Sequence, residues 1–226
     1  MINIVKTGKI PRSVAMIMDG NRRYATTRNQ EKHKGHAVGL NKLEETLVWC
    51  KNLGIYELTV FALAKENLQR SKVEVDTLMG LCKDQFARLA RNGGVFKRQQ
   101  IKVRVLGDLS LMPDDVAKSL RETERITKDH KEGVLNVCIC YNSKDEMDEA
   151  MKDQPKTVAA FEKKLHGGYN VKPDIVIRTS GEIRLSNFLL YQSKDSYFAF
   201  VDSLWPDFSL WDFAKVIFEY QSVSDL

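Results

Sequence analysis

Apolar residues fall into short, nearly continuous runs, and each run closes on a polar or glycine-bearing stretch: SVAMIM from Ser13, YELTVFAL from Tyr56, IKVRVLG from Ile101, VLNVCICY from Val134, DIVIRTSG from Asp174 and YFAFV from Tyr197. Runs of this kind, rich in Val, Ile and aromatic residues, predict strands buried on both faces. Between them the period changes. Leu40, Leu43, Leu47 and Cys50 recur at helical spacing, as do Val75, Leu78, Met79, Cys82, Phe86 and Leu89, so each set predicts an apolar helix face turned to the core. SKVE at Ser71 and SKDE at Ser143 predict capping boxes, SLWD at Ser209 predicts a similar helix start, and Asn92-Gly93-Gly94 predicts a break or kink. Strands alternating with helices long enough for crossovers predict an α/β fold with a mostly parallel sheet of about six strands covered by helices. With 226 residues, 43% of them hydrophobic, and no internal repeat, the expectation is one domain spanning residues 1–226.

Charge and cysteine usage narrow the picture only slightly. A formal net charge of +5 suits an anionic ligand, nucleic acid or an acidic membrane surface without choosing among them. Cys50, Cys82, Cys138 and Cys140 lack the paired spacing of a zinc site and mostly occupy apolar positions, which implies reduced, buried thiols and a reducing compartment. Met1 to Lys9 lacks the apolar core of a secretory leader, and no apolar run approaches the ~20 residues of a transmembrane helix.

The candidate chemistry sits where the strands end, which is where parallel sheets bind ligands. Asp19-Gly20-Asn21-Arg22-Arg23 follows the first strand and leads into Arg28, Lys32, His33, Lys34 and His36; AKENLQR, from Ala64 to Arg70, follows the second; RTSGEIRLSNF, from Arg178 to Phe188, closes the fifth. One such cluster alone is usually a solvated surface. Three together point to phosphate, because arginine forks match its oxygens and glycine lets backbone N–H groups approach. A lone carboxylate among cations, Asp19, suits Mg²⁺ whose shell is completed by diphosphate and water. The chain has no GxxxxGK[ST] and no GxGxxG, which argues against a P-loop NTPase or a dinucleotide enzyme. Tyr24 is the sole aromatic residue between Arg22 and His36, a poor pattern for nucleic acid.

These stretches, MDGNRRYA, GHAVG, KENLQR, RVLGD, RTSGEIRLSNFLLYQ and LWPDF, in this order and from Pro11 to about Gln221, resemble the cis-prenyltransferases. The resemblance implies a parallel sheet flanked by helices, a hydrophobic product tunnel, and Mg²⁺-dependent sequential condensation of isopentenyl diphosphate with an allylic diphosphate, such as farnesyl diphosphate, to a long cis-polyprenyl diphosphate. It implies that Asp19 supports Mg²⁺ and the allylic diphosphate, with Gly20, Asn21, Arg22 and Arg23 as neighbouring donors. Lys32, His36 and Arg70 are further diphosphate contacts in the same pattern, and Asn67 positions the reacting ends. Arg178, Arg184 and Ser186, with Glu182 beside them, form the isopentenyl diphosphate cradle.

Departures from the family pattern refine this expectation. Lys32 stands where arginine is frequent, Ala64 where serine is frequent, and Tyr197 where bacterial members have a metal-linked glutamate. The wording of RYA, NVC and RTSGE resembles the eukaryotic dehydrodolichyl branch, which implies dolichol synthesis for protein glycosylation and peripheral attachment at the cytoplasmic face of the endoplasmic reticulum. No arginine follows Arg184. Homomeric members carry an Arg-x-Gly motif near the C-terminus, so the expectation is a heteromer with a Nogo-B receptor-like subunit that supplies it, with a homodimer as the alternative. Leu210, Phe213, Ala214, Ile217 and Gln221, with Trp205, Trp211 and Phe218 nearby, are candidates for that interface or for core. A non-catalytic, lipid-binding or stabilising subunit of the same fold is the alternative function; retention of Asp19, Arg23, Arg178 and Arg184 argues against it.

Overall fold

The computed structural model describes residues 1–91, 93–165, 169 and 171–224. Six parallel strands form one sheet in the order β3-β4-β2-β1-β5-β6: β1 Ser13–Ile17, β2 Glu57–Ala64, β3 Ile101–Leu106, β4 Gly133–Tyr141, β5 Ile175–Arg178 and β6 Tyr197–Phe200. All six follow the expected runs. β1, β4 and β5 are buried along their whole length, as unalternating apolar sequence requires when both faces are covered. The pleat divides β1 between two cores: Val14 and Met16 join the larger cluster, Ala15 and Ile17 the smaller.

The helices are α1 Ile2–Val5, α2 Asn21–Thr27, α3 Lys32–Leu53, α4 Lys72–Ala90, α5 Val95–Arg98, α6 Asp114–Thr127, α7 Ser143–Lys152, α8 Val158–Glu162 and α9 Leu210–Ser224. A 3₁₀ turn, Lys65–Gln69, follows β2. α4 starts where expected but with half of the box, the Ser71 hydroxyl accepting from the Glu74 N–H at 3.4 Å while the Glu74 carboxylate turns to Arg70, and it stops at Ala90 before Gly93, whose φ of 85° is left-handed; Asn92 lies outside the described residues. At α9 the box is complete: the Ser209 N–H donates to Asp212 at 2.8 Å, and the Asp212 N–H to the Ser209 hydroxyl at 3.2 Å. At α7 the expectation is corrected by one residue. Asn142 is the cap, accepting from the Lys144 N–H, because the Ser143 hydroxyl is engaged by Tyr141 and by the Leu190 N–H.

The stripe Phe213, Ala214 and Ile217 of α9 is core, together with Trp205, while Trp211 is 72% and Phe218 42% exposed on the other side of the helix. Of the four cysteines, all reduced, Cys50, Cys138 and Cys140 are buried and Cys82 partly so, and burial pushes Cys50 up to about 12. Among the described residues no helix is long and apolar enough to cross a membrane.

Strand order sets the position of the site. From β1 the chain moves to β2 on one side, whereas β5 pairs on the other side of β1 and continues outward to β6. The crevice beyond the ends of β1 and β5 is therefore the switch point of the sheet. Asp19 and Arg178 stand there.

Candidate active site

A cavity of ≈ 580 Å³ opens at the carboxyl ends of β1, β2 and β5. Asp19, Gly20, Asn21, Arg22, Arg23 and His36 come to its wall from the β1 side, Asn67 and Arg70 from β2, and Arg178, Glu182, Arg184 and Ser186 from β5. Lys32 does not. It shares a helix face with His36 but lies one turn, roughly 5.4 Å, nearer the start of α3, where it is exposed. Tyr197 begins β6, at the opposite end of the sheet from Asp19, with its hydroxyl toward Glu219 at 3.4 Å, and has no place in the site.

Local geometry explains the glycines of the site. Gly20 has φ 102°, and a Cβ there would lie 2.9 Å from the Leu204 side chain. At Gly39 a Cβ would lie 2.1 Å from the Asn21 side-chain oxygen, so glycine lets α3 pass this close to the start of α2. Trp205 clamps the same spot, its indole N–H donating to the Gly39 carbonyl at 2.8 Å and its backbone N–H to the Asp19 carbonyl at 2.9 Å.

The charged groups of the mouth hold one another. Arg178, its side chain only 4% exposed, donates to Asp19 Oδ2 at 2.8 Å, to the Ser186 hydroxyl at 3.0 Å and to the Arg184 carbonyl. The Gly20 N–H donates to Asp19 Oδ1 at 2.7 Å, and Arg23 donates to the Ser180 carbonyl at 3.0 Å. Burial works to raise the Asp19 pKa, but the Arg178 hydrogen bond, the Gly20 N–H and the charges of Arg178 and Arg23 together hold it below the usual value. Arg70 pairs with Glu74 at 3.0 Å and Arg22 reaches the same oxygen at 3.6 Å; Arg184 pairs with Glu182. Burial, and next the Arg70 charge, push His36 down to about 4, so its imidazole is neutral near pH 7. Arg178 Nε, His36 Nε2 and Asn21 Oδ1 are buried without a hydrogen-bond partner among the described residues. Buried polar atoms are normally satisfied, so this wall suits a polar ligand.

Sequence reasoning missed Glu74, Thr179 and Ser180. Glu74 was legible only as a capping residue; its partner Arg70 lies just before the first turn of α4. Thr179 carries no charge signal. It nonetheless ties the two strand ends, donating to the Asp19 carbonyl at 2.7 Å and accepting from the Asp19 N–H at 3.0 Å.

Below the mouth the wall turns apolar, with Leu40, Leu43, Leu78, Leu81, Cys82 and Phe86 from α3 and α4. The helix stripes expected in the core thus do double duty: Leu43 and Phe86 are 1% exposed, while Leu40, Leu78 and Cys82 are partly open. The cavity joins a cationic, amide-rich mouth to a hydrocarbon-compatible interior.

The fit to Mg²⁺ follows from the donors present. The described residues contain no group of three His, Cys, Asp or Glu that could cage a metal. Each Asp19 oxygen accepts one hydrogen bond in the structure and retains lone-pair capacity, which fits a metal held by one carboxylate with substrate phosphates and water.

Comparison with known proteins agrees with this geometry. The sequence profile of the prenyltransferase family described as undecaprenyl diphosphate synthase matches residues 17–225. The chain is 41% identical to the dehydrodolichyl diphosphate synthase complex subunit DHDDS of Homo sapiens, over 97% of this chain and 69% of that protein. It is 40% identical to the tritrans,polycis-undecaprenyl-diphosphate synthase (geranylgeranyl-diphosphate specific) of Thermococcus kodakarensis, over 98% of this chain and 88% of that one. Among solved structures, lavandulyl diphosphate synthase from Lavandula x intermedia, in complex with dimethylallyl diphosphate, superposes with a TM-score of 0.86 at 30% identity, covering 93% of this chain and 95% of that one.

Proposed function

The chain belongs to the prenyltransferase family of the undecaprenyl diphosphate synthases and is an enzyme of that family, and on this premise we propose that it extends an allylic diphosphate by successive condensation with isopentenyl diphosphate, to a dehydrodolichyl diphosphate. The supporting observation is the juxtaposition in one cavity of a diphosphate-matched mouth and an apolar interior. A short-chain phosphotransferase would have no use for the apolar wall, and a lipid carrier no use for so many converging cations.

The residues divide the work. Arg22, Arg23, His36 and Arg70 grip the allylic diphosphate, while Arg178, Arg184 and Ser186, with Glu182 beside them, grip the isopentenyl one. Asp19 stands between the two groups and would hold Mg²⁺, which when bound supplies positive charge to stabilise the departing diphosphate. Asn67 lines the cavity on the β2 side, beside Arg70, and orients the reacting ends. Neutral His36 accepts or donates one hydrogen bond without adding charge.

Membership of a complex is part of the same proposal. The human relative is named a complex subunit, and we infer a second subunit of the same fold, Nogo-B receptor-like and supplying an Arg-x-Gly segment, with the homodimer as the alternative assembly. Peripheral attachment at the cytoplasmic face of the endoplasmic reticulum and supply of dolichol for glycosylation belong to this reading.

Incorporation of radiolabelled isopentenyl diphosphate into a polyprenyl product, with farnesyl diphosphate as primer, tests it. Incorporation that needs Mg²⁺ and is lost with chelator is expected. Absence of product with Mg²⁺ present, both alone and with such a partner, overturns the catalytic reading in favour of a non-catalytic subunit.

A further inference from the structure

Glu66 lies in KENLQR, next to Asn67, yet it does not line the cavity and none of the roles above uses it. Its position is unusual. One oxygen, Oε1, accepts from the Asn142 side-chain amide, just after β4, and from the Asn187 side-chain amide at 3.2 Å, in the loop after β5. Glu66 itself sits in the turn after β2. Three strand-end loops therefore meet at a single carboxylate.

The loop after β5 needs holding. Ser186, Asn187 and Leu189 have φ of 51°, 58° and 46°, left-handed values that asparagine tolerates and serine and leucine resist. Two further hydrogen bonds tie it to the start of α7, the Ser143 N–H donating to the Asn187 carbonyl and the Leu190 N–H to the Ser143 hydroxyl, both at 2.9 Å, and Phe188 stacks on Phe61 at a ring-centroid distance of 4.8 Å. Lys65 and Asp145, paired at 2.5 Å, fasten the β2 turn to that same helix. The strained turn presents the Ser186 hydroxyl to Arg178, whose guanidinium also reaches Asp19. Release of the turn would disturb that chain of contacts from its far end.

We propose that Glu66 is a positioning residue that ties the loops after β2, β4 and β5 together, so that affinity for isopentenyl diphosphate depends on a residue placed in the allylic-substrate loop. The kinetic part rests on the function proposed above; the structural part does not. In Glu66→Ala, amide exchange of residues 186–190 in the ligand-free protein rises by about tenfold, since a local opening is less strongly opposed. The KM for isopentenyl diphosphate rises by about tenfold while that for the allylic substrate moves by less than about twofold, as loss of ground-state positioning at one site requires. Glu66→Gln, which keeps one acceptor oxygen, restores most of both effects. Asn187→Ala, which leaves the Glu66–Asn142 bond in place, gives part of the Glu66→Ala effect, and the double variant does not exceed Glu66→Ala, because the Glu66–Asn187 bond is already lost there. Unchanged exchange in Glu66→Ala, equal KM changes for both substrates, or additive behaviour of the two alanine variants overturns the proposal. Should the unaltered protein incorporate no isopentenyl diphosphate, the functional reading falls, and the exchange measurement alone decides whether the tie exists.

Discussion

The mouth of the cavity and its interior are held in shape by different forces. At the mouth, Asp19 is tied to Arg178 at 2.8 Å, Arg70 to Glu74 at 3.0 Å and Arg184 to Glu182, so ionic partners fix the side chains before any ligand arrives. In the interior, Leu40, Leu78, Leu81 and Cys82 face the space as parts of helix faces that otherwise pack against the core. Directional bonds define where charge goes, whereas dispersion and burial define only volume. A ligand at the mouth must exchange partners with charges already paired. A hydrocarbon chain in the interior need only fit.

Five substitutions sharpen or break that contrast. Asp19→Ala should lower turnover by about a thousandfold, as removal of a charge-organising group at the reacting centre does, and, because it leaves the buried Arg178 guanidinium without its carboxylate, should also destabilise the fold by about 3 kcal/mol. Turnover within tenfold of normal at saturating Mg²⁺ would remove Asp19 from the metal assignment. Next come the two arginines. Arg184→Ala should reduce kcat/KM for isopentenyl diphosphate by about 300-fold and Arg70→Ala should do so for the allylic substrate, each through loss of charge-assisted hydrogen bonds. Substrate-titrated initial rates distinguish them, and equal effects of both variants on both substrates would merge the two sites.

Phe86→Ala probes the other half of the contrast. Phe86 is 1% exposed and packs on Phe96 at a centroid distance of 6.1 Å, so its loss should destabilise the protein by about 3 kcal/mol while leaving the isopentenyl diphosphate KM within about twofold. Urea unfolding and steady-state kinetics read the two quantities separately. A large KM change would show that the interior helps shape the mouth.

His36 gives the smallest effect. Folded, it titrates at about 4, against 6.5 when unperturbed, so between those values the unfolded chain binds more protons. Its contribution to stability is full above pH 6.5 and is lost as pH falls toward about 4, amounting to about 2 kcal/mol between pH 7 and 5. Comparison of urea midpoints at the two pH values should show a smaller loss in His36→Gln by that amount. An identical loss in the variant would place the pH dependence elsewhere.

The sequence by itself determined which segments become strands, because burial of both sheet faces demands unbroken apolar runs such as VLNVCICY, and it marked α4 and α9 by their first turns. It also located the charged stretches at the strand ends. What the tertiary structure decided is which of those charges meet. Asp19 and Arg178 lie 159 residues apart in the chain and become neighbours only because β5 packs beside β1. Glu74 changes from a capping residue into the partner of Arg22 and Arg70, Lys32 falls outside the cavity, and Asn142 rather than Ser143 caps α7 because Leu190 and Tyr141 engage the serine. Periodicity reports whether a single residue is buried, a local property. Partnership between side chains depends on strand order and helix placement, which arise from packing of the whole chain.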